Sequence, residues 1–146
     1  MIKSEKGITL VALVVMVIII TILATVTTYT GIKSYEKAQV IEFKKRMSIV
    51  EERVRTLQKR ADVDPSLENR LSDFSENTRS SEANSLINEL NLGNEYVFFS
   101  NDNMKSQLGI DDIKGSYLIN FENGKVYSVE GVRYNGSTYY DSDITE

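Results

Sequence analysis

From Ile8 to Ile32 the chain runs 25 residues without a charged side chain. A helix needs about 20 consecutive apolar residues to cross the hydrocarbon core of a bilayer. Between Ile8 and Val26, thirteen residues are Leu, Ile or Val. At about −0.3 to −0.6 kcal/mol each, they favour insertion by roughly 4–8 kcal/mol. The run is longer than the apolar core of a secretory signal peptide, and the residues after it read as helix, not as a processing loop. Most of its residues are β-branched: Val14, Val15, Val17, Ile18, Ile19, Ile20 and Ile22. Such residues favour strands in water. In lipid every backbone polar group must bond within its own segment, so the run is expected to be helical there. Left in water it is an aggregation hazard, which assigns it to a bilayer or to a packed filament core.

A short leader, Met1 to Gly7, precedes the run. Lys3 and Lys6 direct this end to the cytoplasm, opposed by Glu5 and by the basic stem beyond the run. The stretch Lys6-Gly7-Ile8-Thr9-Leu10-Val11-Ala12-Leu13, with its leader and its apolar continuation, resembles the processing motif of type IV prepilins and type II secretion pseudopilins. The resemblance implies recognition of Lys6, Gly7, Ile8, Thr9 and Leu10 by a membrane-embedded prepilin peptidase. Cleavage then falls between Gly7 and Ile8, and Ile8 is N-methylated. Glycine suits such a site by offering an extended, unhindered backbone to a protease cleft.

The resemblance further implies a structural subunit of a type IV pilus-like filament. Its partners are other copies, other pilins, the peptidase, the cytoplasmic (inner) membrane and the pilus assembly platform. Leu10, Leu13, Val17 and Ile20 would pack in the filament core. The chain would sit as a single-pass cytoplasmic-membrane protein, N-terminus inside, before assembly into a cell-surface filament. Ala12 departs from the family, which has glutamate there to pair with a neighbour's N-terminal amine. A carboxylate in lipid costs roughly 2.5–3.5 kcal/mol, which such pairing offsets. Ala12 avoids the cost and forgoes the pairing, leaving major pilin, minor pilin and pseudopilin all open. Clostridial pilin-like proteins share a similar G-I-T-L-x-A-L start. The competing reading is an ordinary signal anchor carrying an unpolymerised coiled-coil stalk or binding protein.

Residues 33–60 hold no proline and no glycine. Val40, Phe43, Met47, Val50, Val54, Leu57 and Ala61 recur at alternating spacings of three and four, an apolar stripe on one helical face. The other faces are charged, with Glu42–Arg46 and Glu51–Arg55 as candidate i,i+4 pairs. A coiled-coil dimer and a helix packed on its own head both fit the stripe, and the resemblance implies the second. Counted from Ile8 to Arg60, the helix is about 80 Å long at 1.5 Å per residue. With no proline nearby, any bend or melting would have to come from Gly31 and the Thr27-Thr28 pair.

The helix is expected to stop near Ala61-Asp62, before Pro65. Asp64 is placed as the cap of a short helix with Leu67, Leu71 and Phe74 on its apolar face. A further helix is expected over Ser81–Leu92, with Leu86, Ile87, Leu90 and Leu92 buried and Gly93 as its stop. The period then changes. Tyr96–Phe99, Ser116–Glu122 and Lys125–Glu130 read as strands, the last two joined by Asn123-Gly124. Asn135-Gly136 marks a second hairpin within Val132–Tyr140. The fold class is therefore α+β and pilin-like: a long N-terminal helix on a small antiparallel sheet. It divides into a leader (1–7), an apolar helix (8–32), an amphipathic helix (33–61) and a head (62–146).

The composition narrows the chemistry. There is no cysteine, histidine or tryptophan, which removes disulfides, thiolate sites and the commonest general base and metal ligand. No enzymatic activity, cofactor or metal is expected. Residues 1–61 hold eleven Lys/Arg against five Asp/Glu, and residues 62–146 six against sixteen. Opposite halves serve solubility and packing between copies. A nucleic-acid-binding stem is disfavoured, since few aromatic residues interleave with the basic ones. Asp141, Asp143 and Glu146 read as a solvated acidic tail rather than a calcium loop. Asp111-Asp112 reads as a cap and Asn101-Asp102-Asn103 as a loop. Tyr134, Tyr139 and Tyr140 read as sheet packing, with an adhesive surface as the alternative.

Overall fold

The computed structural model describes residues 2–66, 74 and 77–145, the first five as backbone only. The chain is α+β and divides into two compact units, Met1–Ala38 and Gln39–Glu146. Helix α1, Ile2–Val63, supplies the whole described part of the first unit and the opening segment of the second. Then follow α2 (Ser81–Glu89), β1 (Val97–Phe99), α3 (Asn101–Leu108), β2 (Tyr117–Ile119), β3 (Val126–Ser128), β4 (Val132–Tyr134) and β5 (Ser137–Tyr139).

Helix α1 starts earlier than expected and ends at Val63, next to the expected stop at Ala61-Asp62. It starts in the leader, so Gly7 is helical and not extended. A continuous helix gives the N–H groups of Ile8 to Val11 carbonyl acceptors from the leader, which a helix starting at Ile8 would lack. It also runs unbroken through Gly31. Its last turn carries Arg60, a cation favoured at a helix C-terminus. Asp64 then accepts from the Ser66 N–H at 3.0 Å, with Pro65 and Ser66 helical. Leu67 and Leu71 lie outside the described residues. Phe74 packs edge-on against Phe99, ring centroids 5.6 Å apart.

The second unit contains a three-stranded antiparallel sheet, order β1-β2-β3, and a separate β4–β5 ribbon, where a single sheet was expected. Alternation along the strands gives the larger sheet two apolar faces. Phe99, Tyr117, Ile119 and Val126 join the α1 stripe, Val40, Phe43, Met47, Val50, Val54 and Leu57, in one buried cluster. Phe98, Leu118 and Val129 join Ala83, Leu86 and Ile87 of α2 in another. The sheet thus lies between α1 and α2, three layers deep.

Several local expectations change. Helix α2 stops three residues early, with Leu90 and Leu92 only partly buried. Asn91 takes the left-handed conformation (φ 53°) that Gly93 was expected to supply. The Leu92 N–H reaches the Ile87 carbonyl at 2.9 Å, and the Asn91 N–H that of Asn88 at 3.3 Å, closing a Schellman motif. Asn101-Asp102-Asn103 opens helix α3 instead of a loop, because the Ser100 hydroxyl accepts from the Asn103 N–H at 3.3 Å. Gly109 ends that helix at φ 68°. Asp112 lies in a bend at φ 55° and caps no helix.

The β2–β3 connection is not a two-residue turn on Asn123-Gly124. The Asn120 N–H bonds the Lys125 carbonyl at 3.0 Å, leaving a four-residue loop. The buried Asn120 side chain shapes it, accepting from the Glu122 and Asn123 N–H groups at 2.8 and 3.3 Å. Asn135-Gly136 does form the two-residue β4–β5 turn, with φ of 49° and 79°, the signs a type I′ turn requires.

Candidate functional site

The candidate assembly segment is the first half of α1. It forms the single candidate membrane span among the described residues, judged by length and composition, and its most apolar window buries nothing against the rest of the chain. Leu10, Leu13, Val17 and Ile20 are 55–64% exposed, and Ile8, beside the expected scissile bond, is 71% exposed. A Cβ added at Gly7 would meet nothing within 4 Å, so the backbone there is unobstructed. The Lys6 side chain lies outside the described residues.

The threonines of this segment carry a signal that sequence reading passed over. The hydroxyls of Thr21, Thr25, Thr27, Thr28 and Thr30 each donate to the carbonyl four residues earlier, at 2.8–2.9 Å. Each polar group is thereby satisfied inside its own helix. An unsatisfied hydroxyl facing hydrocarbon would cost roughly 2 kcal/mol or more. The segment therefore presents a uniformly apolar exterior although it contains five of these threonines. Lys33 lies over the Tyr29 ring, 4.8 Å from its centroid, where the charge-free run ends. An aromatic ring and a long amine are the pair that suits a membrane–water boundary.

The second half of α1 spends its apolar face inside the head. Six of the seven stripe residues, Val40 to Leu57, are at most 7% exposed, and Ala61 packs partly buried against the same cluster. Three polar side chains fasten the flanks. The Arg53 Nε donates to the Leu108 carbonyl at 2.8 Å, where α3 ends. The Gln58 Nε2 donates to the Phe121 carbonyl at 2.7 Å, holding the β2–β3 loop. The Glu51 carboxylate accepts from the Ser142 hydroxyl at 2.8 Å. The expected pairs Glu42–Arg46 and Glu51–Arg55 do not form among the described residues, since Arg46 is turned to the Lys114 carbonyl and Glu51 to Ser142.

Asp141 and Asp143 are not part of a free solvated tail, and Glu146 lies outside the described residues. Lys125 stands 3.3 Å from both Asp141 and Asp143, so an amine occupies the place between these carboxylates. Burial alone would lower Lys125, but hydrogen bonding and charge from Asp141 and Asp143 outweigh it and hold the amine above its ordinary value. Ile144 is buried in the same cluster as the α1 stripe. Among the described residues no group of three or more His, Cys, Asp or Glu is placed to hold a metal. Tyr134 is buried, and Tyr139 and Tyr140 pack partly buried against the two cores. Tyr117 is the largest fully buried side chain. Burial pushes its phenol up to about 12, Arg46 pulling against the rise and Glu130 adding to it. Its hydroxyl donates to the Lys114 carbonyl at 2.7 Å.

Two halves of one helix thus do different work, one apolar on every side and the other spent on a folded head. Comparison with protein-family models, curated proteins and solved structures returns no match.

Proposed function

We propose that the protein is a structural subunit of a type IV pilus-like filament. In this reading it is cut after Gly7 and assembles by bundling its apolar helices, with the heads outward. The observation that carries the reading is the Lys6-Gly7-Ile8-Thr9-Leu10 motif at the head of a helix that is apolar and exposed on all sides. Roughly 20 apolar residues exposed to water are unsustainable, so such a helix belongs in lipid or among its own kind. The internally bonded threonines suit both surroundings. The buried stripe supports the reading from the other side, since that face already serves the head and is not open for a coiled-coil stalk. Membrane anchoring precedes assembly, with the leader in the cytoplasm.

Intact mass of the protein from its native cells, with and without the prepilin peptidase, tests the proposal. A mature chain beginning at Ile8, with or without one added methyl group, and its recovery in sheared filaments are expected. A chain still carrying Met1 to Gly7 in cells with active peptidase would overturn the reading in favour of a signal-anchored binding protein.

A further inference from the structure

Asn-Gly occurs twice in the second unit, at Asn123-Gly124 and at Asn135-Gly136. The dipeptide carries a reaction of its own. A glycine nitrogen, unhindered by a side chain on its residue, can attack the preceding asparagine's side-chain carbonyl carbon and close a five-membered ring. Both dipeptides sit in turns, so each turn must open before the ring can close. What resists that opening differs between them.

At Asn123-Gly124 both reacting groups are engaged. The Gly124 N–H donates to the Asn120 carbonyl at 2.9 Å. The Asn123 side-chain oxygen accepts from the Lys125 N–H at 2.8 Å. The groups that hold them are themselves held. Asn120 is buried, and Lys125 is paired with Asp141 and Asp143. The Gln58 Oε1 lies 3.1 Å from where a Cβ on Gly124 would stand, while its Nε2 donates to the Phe121 carbonyl.

At Asn135-Gly136 these restraints are missing. Asn135, Gly136, Ser137 and Thr138 are all exposed. Among the described residues, neither the Asn135 side chain nor the Gly136 N–H has a hydrogen-bond partner. A Cβ added at Gly136 would meet nothing within 4 Å. The turn closes a ribbon of only two strands. Such a ribbon is marginal by itself, and its tip is where local opening starts.

We propose that Asn135 is a site of spontaneous covalent modification, deamidation through a cyclic imide, and that the fold protects Asn123 from the same reaction. The Gly136 nitrogen gives its proton to solvent base and bonds to the Asn135 side-chain carbonyl carbon. The carbon–nitrogen bond of the side-chain amide breaks, and that nitrogen takes up a proton and leaves as ammonia. Water then opens the imide at either carbonyl, leaving aspartate or isoaspartate at position 135. Water is the only co-reactant. Isoaspartate adds one backbone carbon between Tyr134 and Ser137, so the two-residue turn no longer fits their pairing. Val132 and Tyr134 are buried, so β4 stays on the core while the exposed β5 loosens. The change is irreversible and accumulates with the age of each copy. It depends on the folded second unit and stands apart from the filament reading.

Incubation of the full chain in detergent micelles at mildly alkaline pH tests the proposal. Trypsin separates the two sites, placing Asn123 in the peptide 115–125 and Asn135 in the peptide 134–146. Mass spectrometry, with isoaspartate-specific methylation, should show conversion at Asn135 roughly tenfold or more faster than at Asn123, where two further hydrogen bonds must break first. In guanidinium the two rates should converge, because only the fold separates them. Equal rates in the folded chain, faster conversion at Asn123, or an Asn135 still intact when the guanidinium sample has converted would each overturn the inference. A difference that persists in guanidinium would overturn the protective role of the fold.

Discussion

Residues 8–32 and 39–63 belong to one helix, yet they are helical for different reasons. In the first stretch the side chains offer no helical preference; its valines and isoleucines are strand formers in water. Helix there suits an environment without water, since every backbone group bonds within the segment and even the threonine hydroxyls turn back onto their own carbonyls. In the second stretch the helix is held by tertiary packing, with Val40, Met47, Val50 and Val54 fully buried. Identical backbone geometry therefore carries two separable stabilities, one set by solvent and one by packing.

The sharpest way to break the comparison is a charge in the first stretch. If the proposed filament forms, Val17→Asp should abolish it while the head keeps its melting temperature; a carboxylate in lipid there costs roughly 2.5–3.5 kcal/mol. Normal filaments from that variant would remove the distinction. Phe43→Ala is its counterpart in the second stretch. It should destabilise the head by about 3–5 kcal/mol, read by denaturant unfolding in detergent, without changing membrane insertion.

Alkaline pH comes next. Tyr117 is raised to about 12 and Lys125 is also raised above its ordinary value. A group whose folded pKa is raised contributes stability below its unfolded pKa and loses it as pH rises through the folded one. Head stability should therefore hold to about pH 10 and fall between there and about 12. The charge-free helix should keep its far-ultraviolet circular dichroism over the same window. A head equally stable at both ends of that window would contradict the burial of Tyr117. The smallest effect is expected from Thr25→Val. It removes one back-bonded hydroxyl and should shift stability in lipid by less than about 0.6 kcal/mol, measured by reversible unfolding in micelles.

Much of this division was legible in the sequence. The alternating three-and-four spacing from Val40 to Leu57 marked the buried stripe, and Asn135-Gly136 marked its turn, because both signals are local. Helix α3 was hidden because Asn101, Asp102 and Asn103 are loop formers by composition. Its evidence was a cap at Ser100, a stop at Gly109 and two apolar residues four apart, Met104 and Leu108. The C-terminal fastening was equally hidden. Ile144 is one apolar residue among acids, and its place depends on Lys125 and Glu51, far away in the chain. At Lys6-Gly7-Ile8, the residue types were readable but the helical state of Gly7 was not. Nothing local favours helix there, and it comes from the continuous run on either side.

The direction of the stripe has a mechanical consequence. From Val40 to Leu57 it runs parallel to the helix axis for roughly 25 Å. Tension along α1 loads all six buried contacts together, as a glued lap joint is loaded in shear. Tension across the axis would open them one after another, as tape is peeled. The Gln39–Val63 segment thus resists a pull along its own axis far better than a sideways tug.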